Sequence, residues 1–444
     1  MITAPICEFV RRYRYSGALR MHMPGHKGTA LLGPEPLDLT EIEGADVLYH
    51  AEGIIRESEA NAAALFGTKK TVYSAEGSSL CIRAMLYLAL LHARANHKKP
   101  VIAAGRNAHK VFMTAAALLD LDIRWIYGTE SVISCAITPA QLEDVIVSEN
   151  PVAVYITSPD YLGNIADIKS LSTVCKKHGV LLLVDNAHGA YLHFLPEPMH
   201  PMQLGADICC DSAHKTLPVL TGGAYLHIAH GTPDMFAQRA ESAMALFAST
   251  SPSYLILQSL DAMNPLLATS FPAQLKACAE RLDTLKVKLR AHGYALCGEE
   301  RTKLCLLSKS FGYTGTALAE ILTHHNIYCE FSDADHLVMM FTPETTPADF
   351  ARLERALLSV LPAPAILSKP PVPPHAERVL SPREALFSPS KTLPLSECEN
   401  RILADANVSC PPAVPLAVCG ERLTPEVISA MEYYGTEHCT VVME

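Results

Sequence analysis

From about residue 57 to residue 228, short apolar runs alternate with longer amphipathic ones. ESEANAAALFG predicts a helix stopped by Gly67, and SSLCIRAMLYLALLHARAN a longer helix. PVIAAG reads as a buried strand, HKVFMTAAALLDL as a helix and VAVYIT as a strand. IKSLSTVCKKHG is a helix that ends at a glycine, VLLLVD a strand, and ADICCDS and GGAYLHIA two more. Strands written as continuous apolar runs and separated by helices indicate an α/β fold, its mainly parallel sheet flanked by helices on both faces. Residues 1–50 read as irregular, because Pro24, Gly25, Gly28, Gly33, Pro34 and Pro36 interrupt any long element. After 254–295, again helical, KLCLLSKS, TGTALAEILTHHN, IYCEFSD, HLVMMFT and TPADFARLERALLSVL suggest a small α/β domain. PAPAILSKPPVPPH reads as a linker. The expected segmentation is therefore an N-terminal segment 1–55, a large domain 56–250, a small α/β domain 251–361, a Pro-rich linker 362–384 and a C-terminal domain 385–444.

Bulk composition narrows the possible roles. A chain of 444 residues with 49% hydrophobic and 18% charged residues has ample core for two or three domains. Its 36 basic and 46 acidic residues give a net charge of -10 without a basic block, which argues against nucleic acid as a partner. No apolar run has signal-peptide form or nears the roughly 18 residues of a membrane span. The 14 cysteines are scattered and form no CxxC pair, so they read as reduced thiols of a cytoplasmic protein. His22 and His26 have Pro24 and Gly25 between them, which favours a loop over a helical metal-binding pair; no metal is expected.

Polar chemistry collects where strands end, the place where open α/β sheets bind ligands. Asp185 closes VLLLVD; a carboxylate there is either a loop cap or the partner of a cation. Lys215 follows ADICCDS, and a lysine partly removed from water is either a snorkelling side chain or an amine nucleophile for a carbonyl. Gly77, Ser78 and Ser79 precede a helix, where they serve as ordinary caps or as a phosphate cradle. His109 follows VIAAG, placed to stack on a flat ring or to satisfy its own loop. Taken together, Lys215 as amine, Asp185 for a ring nitrogen, Gly77, Ser78 and Ser79 with Ser212 and His214 around a phosphate, and His109 with Ala187 against a ring are the inventory for pyridoxal 5′-phosphate.

The segments RMHMPGHKG, DLTEIEGADVL, AAALFGTKKTVYSAEGSS, RNAHKVF, VDNAHGAYLHF, DSAHKTLPVLTGGAYLH, STSPSYLILQSLDA and SPREALF resemble the bacterial ornithine/lysine/arginine decarboxylase family. The likeness runs from about residue 20 to 425 and is to the short form without an N-terminal wing domain. It implies a fold-type-I pyridoxal-phosphate enzyme with a seven-stranded large-domain sheet. It also implies a cytoplasmic enzyme that decarboxylates a basic amino acid, arginine, lysine or ornithine, to the corresponding amine and CO2, in the chemistry of polyamine biosynthesis. It further implies that Lys215 condenses with the cofactor aldehyde, Asp185 meets the pyridine nitrogen and His109 stacks on the ring. By the same likeness Ser78 and Ser79 bind phosphate, Ser212, His214 and His188 neighbour the cofactor, and Thr250 and Ser251 reach the phosphate of a neighbouring subunit, which makes a homodimer.

This chain departs from the family pattern in places. Asn186 stands where glutamate is common, and PDYLG puts Asp160 and Leu162 near the expected substrate channel. Asn400, Ser409 or Cys410, Ala413 and Cys419 stand where glycine, tyrosine, glycine and proline are usual. Asp160 and Glu397 are the acidic candidates for the distal cation of the substrate. Two other readings stay open. One is another fold-type-I reaction, an aminotransferase or lyase, although CEFSDADHLVMMFTP lacks the arginine that an aminotransferase uses for the substrate carboxylate. The other is a cofactor-binding relative without turnover.

Overall fold

The computed structural model describes residues 2–128, 133–372, 375–406 and 414–443. In chain order it contains α1 (Pro5–Arg14), α2 (Ile54–Phe66), β1 (Lys70–Ser74), α3 (Gly77–Ala95), β2 (Val101–Gly105), α4 (Lys110–Leu119), β3 (Asp122–Ile126), α5 (Pro139–Glu149) and β4 (Ala153–Thr157). Next come α6 (Ile168–Lys177), β5 (Leu181–Asp185), α7 (Pro201–Leu204), β6 (Ile208–Asp211), α8 (Ala213–Thr216), β7 (Ala224–Ile228), α9 (Asp234–Ala245), α10 (Tyr254–Leu267) and α11 (Phe271–His292). The small sheet is made of β8 (Leu296–Cys297), β9 (Lys303–Leu307), β10 (Phe331–Ser332) and β11 (His336–Met340), in the order β10-β11-β9-β8.

Two compact units emerge: Met1–Lys99 with Ile168–Leu275, and Pro100–Asp167 with Lys276–Glu444. The large sheet has seven strands. In the first unit they run β1-β7-β6-β5, and in the second β4-β2-β3. β5 pairs parallel with β6, and β2 pairs parallel with both β3 and β4, whereas β7 runs antiparallel to β6 and to β1. Every residue of β2, β5, β6 and β7 is buried, which is why these strands are mostly apolar rather than alternating, with Asp185, Asp211 and His227 as buried polar exceptions.

The orientation of β7 matters for the site. An antiparallel neighbour needs no crossover helix. Residues 212–223 therefore turn straight back at the carboxyl end of β6 and carry the short α8 there. The Gly77 N–H donates to the Gly222 carbonyl at 2.7 Å, which ties the start of α3 to this return. Gly222 has φ +101°, and a Cβ there would meet the Ala75 carbonyl oxygen at 2.9 Å, so the close approach requires glycine.

Helix ends follow their sequence signals. α2 stops at Gly67 in the left-handed region, φ +61°. α5 starts from a Thr138–Gln141 capping box. Residues 5–14, expected to be irregular, instead form α1. Pro5 occupies a first-turn position, Ile6 and Val10 are fully buried one turn apart, and the Cys7 N–H donates to Asp261 Oδ2 at 2.8 Å. The interrupting prolines and glycines begin only after this helix. Of the described residues, 362–372 form neither helix nor strand. No helix among the described residues is long and apolar enough to cross a membrane.

One buried carboxyl couples the core of the first unit to pH. Glu59 on α2 is 5% exposed, and its Oε1 accepts the Tyr73 N–H at 2.8 Å. Burial raises its carboxyl to about 8, opposed by the Tyr73 hydrogen bond and Lys70 and assisted by Glu241. The native state therefore keeps a proton that the unfolded chain loses near 4.5. The stability this confers is complete below that value and is lost as pH rises towards about 8. Glu59→Gln keeps the acceptor and cannot ionise. Chemical denaturation at mildly acidic and mildly basic pH should show the loss on going basic reduced by about 2–4 kcal/mol in the variant. An unchanged loss would assign the pH dependence to other groups.

Candidate active site

In the first unit, the parallel pair β5 and β6 sets Asp185 opposite Cys210 at the carboxyl ends of both strands. Asp185 is 2% exposed; its Oδ1 accepts the Ala187 N–H at 3.2 Å and the Cys210 thiol at 3.6 Å. Four residues beyond the end of β6, half-buried Lys215 places Nζ 3.2 Å from Nε2 of the buried His188. An ammonium donates there to the imidazole lone pair. The amine and the Asp185 carboxylate are thus linked through the 185–188 turn.

The Ser212 hydroxyl donates to the Ser78 hydroxyl at 2.6 Å, and both are buried. The residue that precedes α3 is Glu76, and it makes no side-chain cap. Ser78 and Ser79 lie inside the first turn, so side-chain capping is not their role. Nearby, the Ser249 N–H donates to Glu76 Oε1 at 2.7 Å, which holds the exposed loop bearing Thr250 and Ser251 beside the start of α3. Nδ1 of His214 lies 3.0 Å from the Gly223 carbonyl, an acceptor, so Nδ1 carries the proton and Nε2 the lone pair. Burial lowers this imidazole below the ordinary histidine value; the Gly223 bond opposes and Lys215 adds to the lowering.

His109 lies in the second unit, immediately before α4. Its Nδ1 accepts the Val111 N–H at 3.2 Å, which leaves Nε2 to carry the proton of the neutral ring. The loop histidines His22 and His26 contact Tyr13 and Asp38 respectively.

A network missed by sequence reading backs α8. Asp211, fully buried, accepts from His200 Nε2 at 2.9 Å, from His227 Nε2 at 3.2 Å and from Asn186 Nδ2 at 2.7 Å. Burial pushes the Asp211 carboxyl up, but His200 and His227 together overcome it and hold the group far below the usual carboxylate range. Asp211 directly precedes Ser212, so the network anchors the strand end from which Lys215 projects. Asn186 belongs to it: an amide donor suits a carboxylate acceptor, where glutamate would set a second acid against Asp211.

The donor set fits pyridoxal 5′-phosphate: an amine, a buried carboxylate at a strand end, paired serine hydroxyls at a helix start and a neutral imidazole. Beside Lys215, the buried Thr216 hydroxyl has no hydrogen-bond partner among the described residues, a polar atom that a phosphate or ring oxygen would satisfy.

Comparison with known proteins agrees with this chemistry. Residues 4–289 match the Orn/Lys/Arg decarboxylase major domain. The chain belongs to that family. An arginine decarboxylase of Bacillus subtilis is 30% identical, over 96% of this chain and 92% of that one. An arginine decarboxylase of Halalkalibacterium halodurans is 28% identical, over 95% and 91%. The fold is that of the Francisella novicida lysine decarboxylase, TM-score 0.79 at 16% identity, covering 100% of this chain and 81% of that one.

Against this family the departures take on definite shapes. Asp160, expected as a partner for a substrate cation, is consumed by its own loop. Its Oδ1 accepts the Leu162 and Asn164 N–H groups, both at 2.9 Å, and its Oδ2 accepts Asn164 Nδ2 at 2.8 Å and the Ser134 hydroxyl. Leu162 is buried in an apolar cluster with Ile133, Cys305, Phe331 and Val338. Asn400 has φ +61°, a left-handed conformation that asparagine tolerates in glycine's place. Cys419 is buried, which pushes its thiol up to about 12. Glu397 is exposed on a short 3-10 turn, 395–397. Ser409, Cys410 and Ala413 lie outside the described residues.

Proposed function

We propose that this decarboxylase acts on arginine with pyridoxal 5′-phosphate bound at Lys215. The observation that carries the reading is the convergence, inside one unit, of the Lys215–His188 pair, Asp185 and the Ser78–Ser212 hydroxyls at the carboxyl ends of β5 and β6. The cofactor, when bound, supplies an electron sink for the pair left behind as CO2 departs. Lys215 would hold the cofactor aldehyde and would offer an amine to return a proton. Asp185, as the anion, keeps the proton on the pyridine nitrogen. Gly77, Ser78, Ser79, Ser212 and His214 hold the phosphate, Ala187 and His188 border the ring, and His109 keeps the stacking role given by the resemblance. The exposed loop of Thr250 and Ser251 supports a homodimer in which it serves the neighbouring subunit.

Arginine is preferred over lysine and ornithine because the two arginine decarboxylases named above are 30% and 28% identical to this chain, whereas the lysine decarboxylase shares its fold at 16% identity. Of the small α/β domain expected at 251–361, the apolar cluster within residues 278–360 supports all but 251–275, which group with the first unit, and the cluster within 395–441 supports a C-terminal domain at 385–444. A cytoplasmic site and a place in polyamine biosynthesis complete the reading. Purified protein supplied with the cofactor is expected to release CO2 and the matching amine from arginine at a higher kcat/KM than from lysine or ornithine. Lysine as the best substrate would overturn the arginine assignment, and no CO2 from any of the three would overturn the reaction.

A further inference from the structure

In the small sheet of the second unit, Cys297 on β8 stands directly opposite Cys305 on β9. Direct antiparallel partners send their side chains to the same face. The two Sγ atoms lie 3.0 Å apart. That is closer than two unbonded sulfurs normally rest and about 1 Å beyond a disulfide bond. Closing the gap requires small side-chain adjustments and no change of register.

The two sulfurs have different surroundings. Cys305 is 1% exposed, packed with Leu162, Phe331 and Val338. Cys297 is half-buried and lines a cavity of about 510 Å³ whose wall also includes Asp160, Asn164, Thr157 and His336. Of the pair, Cys297 lines that cavity and Cys305 does not; the other thiol in its wall, Cys135, is raised by burial. The Cys297 thiol is held below the ordinary cysteine value, chiefly by its hydrogen bond with Cys305 against the effect of burial, with His336 assisting. The Cys305 thiol is pushed far above it by that same hydrogen bond and by burial. An accessible, more acidic thiol backed by a buried partner is the division of labour between an attacking and a resolving cysteine.

We propose that Cys297 and Cys305 form a thiol–disulfide site that is oxidised by hydrogen peroxide. The Cys297 thiolate attacks one peroxide oxygen. The O–O bond breaks, and the leaving hydroxide is protonated to water. Cys297 then carries a sulfenic acid. The Cys305 sulfur attacks the Cys297 sulfur, the S–S bond forms and the S–O bond breaks. The departing hydroxide takes up the thiol proton as a second water. Two thiols and one peroxide become one disulfide and two waters, and two electrons pass from sulfur to oxygen. The product pins β8 to β9.

Among the described cysteines, Cys398 and Cys439 are also neighbours, but both are buried in an apolar cluster and burial raises both thiols. They provide an internal control. Full-length protein is titrated with hydrogen peroxide, alkylated and digested with trypsin. The sequence CGEERTKLC separates the pair into peptides 291–301 and 304–309, so the disulfide appears as a linked peptide two hydrogens lighter than their sum. That species is expected at lower peroxide than any Cys398–Cys439 link, and dithiothreitol should remove it. Cys305→Ser should leave a Cys297 sulfenic acid that dimedone traps, and Cys297→Ser should leave Cys305 alkylated. Recovery of both thiols alkylated after the control pair has reacted would overturn the proposal, as would over-oxidation of wild-type Cys297 without the linked peptide. The measurement needs no turnover and is independent of the cofactor assignment.

Discussion

Lys215→Ala is expected to abolish turnover, with kcat lower by ~10³-fold or more, and to remove the visible absorbance of the lysine-bound cofactor. The reason is chemical rather than electrostatic. The amine on α8 lies 3.2 Å from Nε2 of His188, beside the 185–188 turn. Without it the cofactor has no covalent tether and the product no amine to displace it. Lys215→Arg separates this from a simple charge effect. It keeps the cation near His188 but cannot form the linkage, so it should fail as completely as alanine. Purified variants are compared by absorbance on adding cofactor, by single-turnover CO2 release and by thermal midpoint. A lysine-bound spectrum that survives in Lys215→Ala, in a protein that still melts cooperatively, would remove the assignment on which the rest of the site depends.

Asp185→Ala is expected to lower kcat by about 10²–10³-fold on cofactor-saturated protein, while cofactor affinity changes far less. A buried anion at the ring nitrogen matters most when negative charge moves into the ring, which happens in the transition state and hardly in the resting complex. Asp185→Asn is the sharper test. An amide oxygen can still accept from Ala187 N–H and the Cys210 thiol, as Asp185 Oδ1 does, so the turn is preserved while the charge is lost. It should be nearly as slow as alanine. If Asp185→Asn kept wild-type kcat, or if both variants lost cofactor affinity with kcat intact at saturation, Asp185 would be a structural carboxylate and the pyridine nitrogen would face another group.

Much of this architecture was legible in the chain because it rests on local rules. Strands buried on both faces are mostly apolar, so VIAAG, VLLLVD and GGAYLHIA declare themselves, and a glycine such as Gly67 ends a helix whatever lies beyond it. Asp185 was conspicuous because it closes an apolar run at a strand end, and Lys215 because it follows the next strand without charged company beside it. The N-terminal helix was hidden by the prolines and glycines that follow it; its two buried aliphatic residues make sense only once the core they enter exists.

What tertiary structure alone decided is which polar groups meet. Ser212 and Ser78 are 134 positions apart, yet their hydroxyls share a hydrogen bond, a contact that sets them apart from two ordinary helix caps. Asp160 looked available for a substrate until its own loop and Ser134 took up both of its oxygens. Asp211, His200 and His227 carry no shared motif, and antiparallel pairing of β6 with β7 helps bring them together. The same kind of pairing sets Cys297 against Cys305. Side-chain period and propensity act over a few residues and are therefore written in the sequence. The partner of a buried charge or thiol is set by strand register and chain return, which only the folded chain specifies.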